Sequence, residues 1–177
     1  ICTAQVLPAV VASMYAVWHG PAGLERIATR VATFTAILAA GLEQLGERVA
    51  SEHAFDTIRL DTGSRTEALL ARAVEHGINF RRLDAGSLSI TLDETTTRAD
   101  VERIWMVFQN VGKTRPAVAE FERTVAPRLP QALLRSSDYL THPVFNSHHS
   151  ETAMLRYIRS LSDRDLALDR SMIPLGS

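Results

Sequence analysis

Three histidines, His142, His148 and His149, crowd one short stretch of the chain. Imidazoles so placed could ligate a metal or move protons. Adjacent His148 and His149 are poorly placed to turn both rings onto one ion, however, and the carboxylates nearby are Asp138 and Glu151 alone. No metal site is therefore expected, and the favoured reading is that these residues wire an ordered but irregular segment. Asp93-Glu94, followed by Thr95-Thr96-Thr97, could act as an acid–base pair. Short polar groups at a strand-to-helix junction more simply satisfy the free N–H groups of the helix that follows. Serine, histidine and aspartate are all present, but no Gly-x-Ser-x-Gly elbow exposes a serine. Neither Gly-x-Gly-x-x-Gly nor a Walker-type loop occurs, so the segment has no phosphate cradle of its own.

Amine chemistry is equally restricted. Of the 19 basic residues, 18 are arginine and one, Lys113, is lysine. Arginine stays protonated and cannot form a Schiff base. Lys113 lies in Gly112-Lys113-Thr114-Arg115-Pro116, between a helix-ending glycine and a proline-containing loop. A solvated linker lysine fits that setting better than the desolvated, rigid one a nucleophilic lysine needs. The single cysteine, Cys2, excludes an internal disulfide and a multi-cysteine zinc site, and fits a reducing compartment. The net charge of −1 gives no electrostatic case for nucleic acid or an anionic membrane surface. No apolar run reaches the length of a membrane span, and the opening Ile1-Cys2-Thr3-Ala4 lacks a basic leader region, so neither anchor nor secretory leader is expected.

The elements that would position these residues follow from hydrophobic spacing. Residues 1–18 read as a helix, broken by His19-Gly20-Pro21. A second helix is predicted from Pro21 to Leu45, with Leu24, Ile27, Val31, Phe34, Leu38, Leu42 and Leu45 at steps of three and four, ended by Gly46. Phe55–Leu60 is a strand candidate. Ser64-Arg65-Thr66-Glu67 reads as a capping box opening a helix that stops at Gly77. Ile78–Leu83 and Ser87–Leu92 are further strands about an Ala85-Gly86 turn. Thr97-Arg98-Ala99-Asp100 caps a helix carrying Val101, Ile104, Trp105 and Phe108. The order strand, helix, strand, strand, helix predicts an α/β fold of α+β type: a two-layer sandwich whose antiparallel sheet is covered on one face. Past Gly112, prolines punctuate the chain. A short helix is predicted at Val118–Arg123, irregular chain from Leu133 to His149, and a helix capped by Ser150 with Met154, Leu155, Ile158 and Leu161 on one face. So apolar a tail is read as an arm that packs on other sequence.

Several stretches resemble one family, the P-protein of the glycine cleavage system. They are Ile1-Cys2-Thr3-Ala4-Gln5-Val6-Leu7, Met14-Tyr15-Ala16-Val17, His19-Gly20-Pro21, Gly77-Ile78-Asn79 and Leu92-Asp93-Glu94-Thr95-Thr96-Thr97. The most specific follow in order: Leu140-Thr141-His142-Pro143-Val144-Phe145-Asn146, His149-Ser150-Glu151-Thr152, Met154-Leu155-Arg156-Tyr157 and Ser171-Met172-Ile173-Pro174-Leu175-Gly176-Ser177. Ala153 departs from the pattern, where an acidic residue is usual, at what should be a solvent-facing helix position.

The resemblance implies an internal fragment of a pyridoxal-phosphate enzyme of fold type I, duplicated into two halves. Residues 1–20 would end a large-domain helix, 21–112 would form the small α/β domain of the first half with its long bridging helix, and 113–177 would be the linker arm into the second half. The intact enzyme decarboxylates glycine and passes the aminomethyl group to the lipoyl arm of the H-protein carrier. Pyridoxal phosphate is its cofactor, a homodimer is expected, and the cofactor lysine is expected downstream of Ser177. No catalytic residue is then expected within this segment, nor turnover by it alone. Gly176 and Ser177, with His142, His148, His149 and Ser150, would border the active site as wall. Separately, the arginine-for-lysine bias and the many alanines suggest a GC-rich bacterial genome, which favours a cytoplasmic setting. The competing expectations are a non-catalytic α/β interaction module and, more remotely, a histidine-based metal hydrolase.

Overall fold

The computed structural model describes residues 4–109, 112, 114–167, 169, 170 and 172. It divides into two compact units: one comprises residues 1–26 and 136–177, the other Ile27–Arg135. Among the described residues, no helix is long and apolar enough to cross a membrane.

Helix α1 spans Val6–Gln44 and is interrupted at Gly20, whose φ of 61° and ψ of −179° belong to no helix. The break falls where the Gly-Pro pair predicts it. Pro21 lacks an N–H and has its φ preset, which suits the first turn of the second piece. That piece contributes Ile37, Leu38, Ala39, Leu42 and Leu45 to the core of the Ile27–Arg135 unit. It ends in a left-handed glycine cap: Gly46, at φ 88°, donates to the Glu43 carbonyl at 2.9 Å, and Glu47 donates to Leu42 at 2.9 Å. These paired bonds satisfy carbonyls that the helix end leaves open.

The sheet has four antiparallel strands in the order β1-β2-β4-β3: β1 Arg48–Val49, β2 Thr57–Asp61, β3 Arg81–Asp84 and β4 Ser87–Thr91. Ile58 pairs with Ile90 and Leu60 with Leu88, so one face of the central strands is apolar and buried. Against it lie the second piece of α1, α2 (Thr66–Glu75) and α3 (Arg98–Phe108), through Leu69, Ala73, Val101, Ile104, Trp105 and Phe108. The mixed helix-and-sheet architecture is the α/β fold expected.

Details differ from expectation in instructive ways. The Ser64 capping box does not form. A 3₁₀ turn, Gly63–Arg65, leads into α2, and Arg65 stands at the cap position without a side-chain bond to the helix start. The buried Thr66 hydroxyl instead lies 2.7 Å from that of Thr62 and donates to the Gly63 carbonyl at 2.8 Å. The strand predicted from Ile78 is β3, and it begins at Arg81. The chain from Gly77 is still closing α2, with Gly77 donating to Val74 and Ile78 to Ala73, both at 2.9 Å. At α3 the predicted box is complete: Thr97 accepts from the Asp100 amide, and Asp100 accepts from the Thr97 amide at 2.9 Å.

Two contacts fix the core of this unit. The Trp105 indole N–H donates to the Leu38 carbonyl at 3.0 Å, and a Cβ at Gly41 would stand 2.2 Å from the indole ring. Gly41 thus leaves the space that the Trp105 ring occupies against the helix. The buried Glu47 carboxylate receives both arms of the Arg65 guanidinium, at 2.9 and 2.5 Å. A bidentate pair compensates the desolvation of a carboxylate better than a single contact would. Later in the chain α4 is Val118–Phe121, and Arg128 grips Glu43 with bonds of 2.9 and 2.6 Å.

In the other unit, the chain from Ser136 is irregular up to a 3₁₀ turn at Pro143–Asn146, and α5 spans Glu151–Ser162. Ser150 caps α5 as predicted, accepting from the Ala153 amide at 3.3 Å. Ala153 itself is half-buried rather than turned fully to solvent.

Candidate functional site

Of the histidines singled out from the sequence, one, His149, meets the break in α1. The first helical piece ends near Trp18, leaving carbonyls with no helical donor. His149 supplies one: its Nδ1 lies 2.8 Å from the Trp18 carbonyl, so Nδ1 carries the proton and donates. The imidazole lies against Gly20. A Cβ there would stand 2.7 Å from His149 Cε1 and 2.6 Å from the Phe145 carbonyl oxygen. One residue on, the Tyr139 hydroxyl donates to the Pro21 carbonyl at 2.6 Å. Gly20 therefore serves twice, reaching a backbone conformation nearly closed to other residues and admitting the histidine ring.

The loop that presents His149 is held by its own side chains. Asn146 Nδ2 donates to the carbonyls of Leu140 and His142, at 3.0 and 3.1 Å. Ser147 donates to Pro143 at 2.6 Å, and His142 Nδ1 accepts from the Val144 amide at 3.2 Å. Leu140, at φ 50°, turns the chain into this arrangement. His148 points elsewhere and stacks on Tyr157 of α5, with ring centroids 4.3 Å apart and planes 13° from parallel.

Between the break and this loop is a cleft of about 410 Å³, lined by Trp18, His19, Gly20, Pro21, Ala22, Gly23, Arg26, Asn146 and His149. His19 packs its ring on Tyr15 at 4.3 Å. The cleft offers aromatic surface, imidazole edges and one guanidinium, but no nucleophile paired with a base. It can hold or border a group.

Of the residues singled out from the sequence, His142, His148, His149 and Ser150 share one loop, yet each is engaged separately and only His149 lines the cleft. Gly176, Ser177 and Lys113 lie outside the described residues. Among the described residues, no group of three or more His, Cys, Asp or Glu side chains could hold a metal ion. The Asp93 carboxylate accepts from the Thr95 hydroxyl at 2.7 Å and the Thr95 amide at 2.9 Å, which holds its pKa below the ordinary aspartate value. A carboxylate so engaged closes a turn. Trp18, His19, Arg26 and Asn146 were not singled out for the site. The Gly20-Pro21 break was the available signal for the first three, and nothing local points to Asn146.

A family model described as "Glycine cleavage system P-protein" matches residues 1–108. A glycine dehydrogenase (decarboxylating) of Variovorax paradoxus (strain S110) is 60% identical over 177 residues, covering 100% of this chain and 18% of that protein. The protein of the same description from Cupriavidus metallidurans is 55% identical over 177 residues, with the same coverage. That from Paraburkholderia phytofirmans is 54% identical over 183 aligned positions, covering 100% of this chain and 19% of the relative. The chain thus spans about a fifth of the length of the relatives it matches. It belongs to the glycine cleavage system P-protein family.

Proposed function

We propose that this chain is an internal segment of a pyridoxal-phosphate-dependent glycine decarboxylase, the P-protein of the glycine cleavage system. The observation that carries this reading is the unbroken match of all 177 residues, at 60% identity, to under a fifth of a glycine dehydrogenase (decarboxylating). In this reading residues 1–20 end a large-domain helix, 21–112 form the small domain, and 113–177 lead into the second half. The intact protein would take glycine as substrate and a lipoylated H-protein as acceptor, work as a homodimer, and reside in the bacterial cytoplasm.

Pyridoxal phosphate needs an amine for covalent attachment and a cradle for its phosphate. The sequence has one lysine, Lys113, between a helix-ending glycine and a proline-containing loop, and no glycine-rich phosphate loop. A solvated linker lysine and no phosphate cradle do not fit the group, so we assign its attachment to polypeptide beyond this segment. What the segment would supply is support. The loop carrying His142, His148, His149 and Ser150 is fastened to the α1 break, and with Gly176 and Ser177 it would form wall beside the reacting groups.

The test is spectroscopic. After exhaustive dialysis, the full-length parent protein retains the visible absorbance of its cofactor, and Lys113→Ala leaves that absorbance unchanged. Loss of the absorbance in Lys113→Ala, or its retention by the 177-residue chain, contradicts the assignment.

A further inference from the structure

The start of α1 has an unusual surface for a helix in water. No Asp, Glu, Lys or Arg occurs before Glu25. Residues 4–13 are nonetheless exposed without interruption, including Val6, Leu7 at 67%, Val10, and Val11 at 59%. At 100° per residue, Val6, Leu7, Val10, Val11, Met14 and Trp18 form a wide stripe of large side chains. Pro8, Ala9, Ala12, Ser13 and Ala16 form the opposite side, which is uncharged as well. The one hydroxyl there needs no outside partner, because Ser13 donates to the Val10 carbonyl at 2.8 Å.

A helix that docks by one face keeps charge on the other, whereas a helix uncharged all round belongs inside a core. A second copy of the chain would cover one side and leave the other in water. Enclosure on every side requires a concave apolar seat. The relatives carry more than four-fifths of their length outside the region matched here, ample chain to build one. We propose that residues 6–13 are a core helical segment, enclosed on both its large-residue and small-residue sides by apolar polypeptide of the same P-protein chain. This rests on the reading of the chain as a segment of that protein. It adds which surface is covered, that it is covered all round, and that the cover comes in cis.

The test uses the full-length parent, with its other accessible cysteines replaced. Val10→Cys probes the large side and Ala12→Cys the small side. Maleimide labelling of the native protein is compared with labelling in denaturant, and glycine decarboxylation is assayed in the same samples. Both positions are expected to label about 100-fold more slowly, or slower still, in the native protein, as for sites reached only when a core element opens. The protection should not change with protein concentration. Fast labelling at both positions overturns the proposal. So does fast labelling at Ala12→Cys alone, which indicates docking by one face, or protection that disappears on dilution, which indicates a second copy. An intact protein without glycine decarboxylation undermines the segment reading instead, whatever the labelling shows.

Discussion

At the scale of single residues, two glycines carry opposite lessons. Gly20 is demanded by the backbone, with φ at 61°, and by the His149 ring pressed on it. Gly20→Ala should cost about 1–3 kcal/mol through strain alone and release the histidine from the Trp18 carbonyl. The loss should appear as a lowered unfolding midpoint and as a change in the His149 imidazole proton signals in NMR. Gly41 has ordinary helical neighbours, so alanine should gain up to about 1 kcal/mol of helix propensity. The Trp105 ring, 2.2 Å from the new Cβ, reverses the sign. Overpacking of this kind costs about 1–3 kcal/mol, and urea unfolding followed by tryptophan emission should show Gly41→Ala net destabilised. Thr35 offers the converse. Its hydroxyl is buried with no hydrogen-bond partner among the described residues. Thr35→Val removes that unmet group at nearly constant shape and should raise stability by about 1 kcal/mol.

At the scale of elements, carboxylates at turns and caps tie stability to pH. Asp84, Asp93 and Asp100 are each held below the usual aspartate value, chiefly by the hydroxyls of Ser87, Thr95 and Thr97 and then by backbone N–H groups. A depressed folded-state pKa stabilises the fold above the unfolded value, about 3.9. That contribution is lost as pH falls through the folded pKa. Thermal unfolding should therefore separate wild type from Asp93→Asn at neutral pH, and the gap should close below about pH 4.

The elements also show what a sequence can and cannot convey. The Thr97 cap and the Gly46 and Gly77 ends were legible because each rests on residues within a few positions of one another. Arg48–Val49 was not, since two residues carry no periodicity and become a strand only by pairing with Leu60 and Asp61. Ser64 has the right spacing for a cap, but Gly63 at φ 56° and the Thr62–Thr66 contact tighten the entry into a 3₁₀ turn. The histidine loop could be suspected of structural work from its composition. That His149 would bond a carbonyl 131 residues earlier could not be read from any local pattern.

At the scale of the whole molecule, the described residues provide a core, a sheet and a fastened loop, but no amine for an aldehyde cofactor. In the reading proposed above, turnover draws on polypeptide beyond the 177 residues, whose one lysine, Lys113, lies outside the described residues. The most direct measurement is release of carbon dioxide from carboxyl-labelled glycine, in the presence of lipoylated H-protein and added pyridoxal phosphate. It compares the full-length parent with the purified 177-residue chain. The account predicts label release by the parent and none above background by the chain. Release by the chain alone, in material whose mass spectrum shows no longer species, would contradict it.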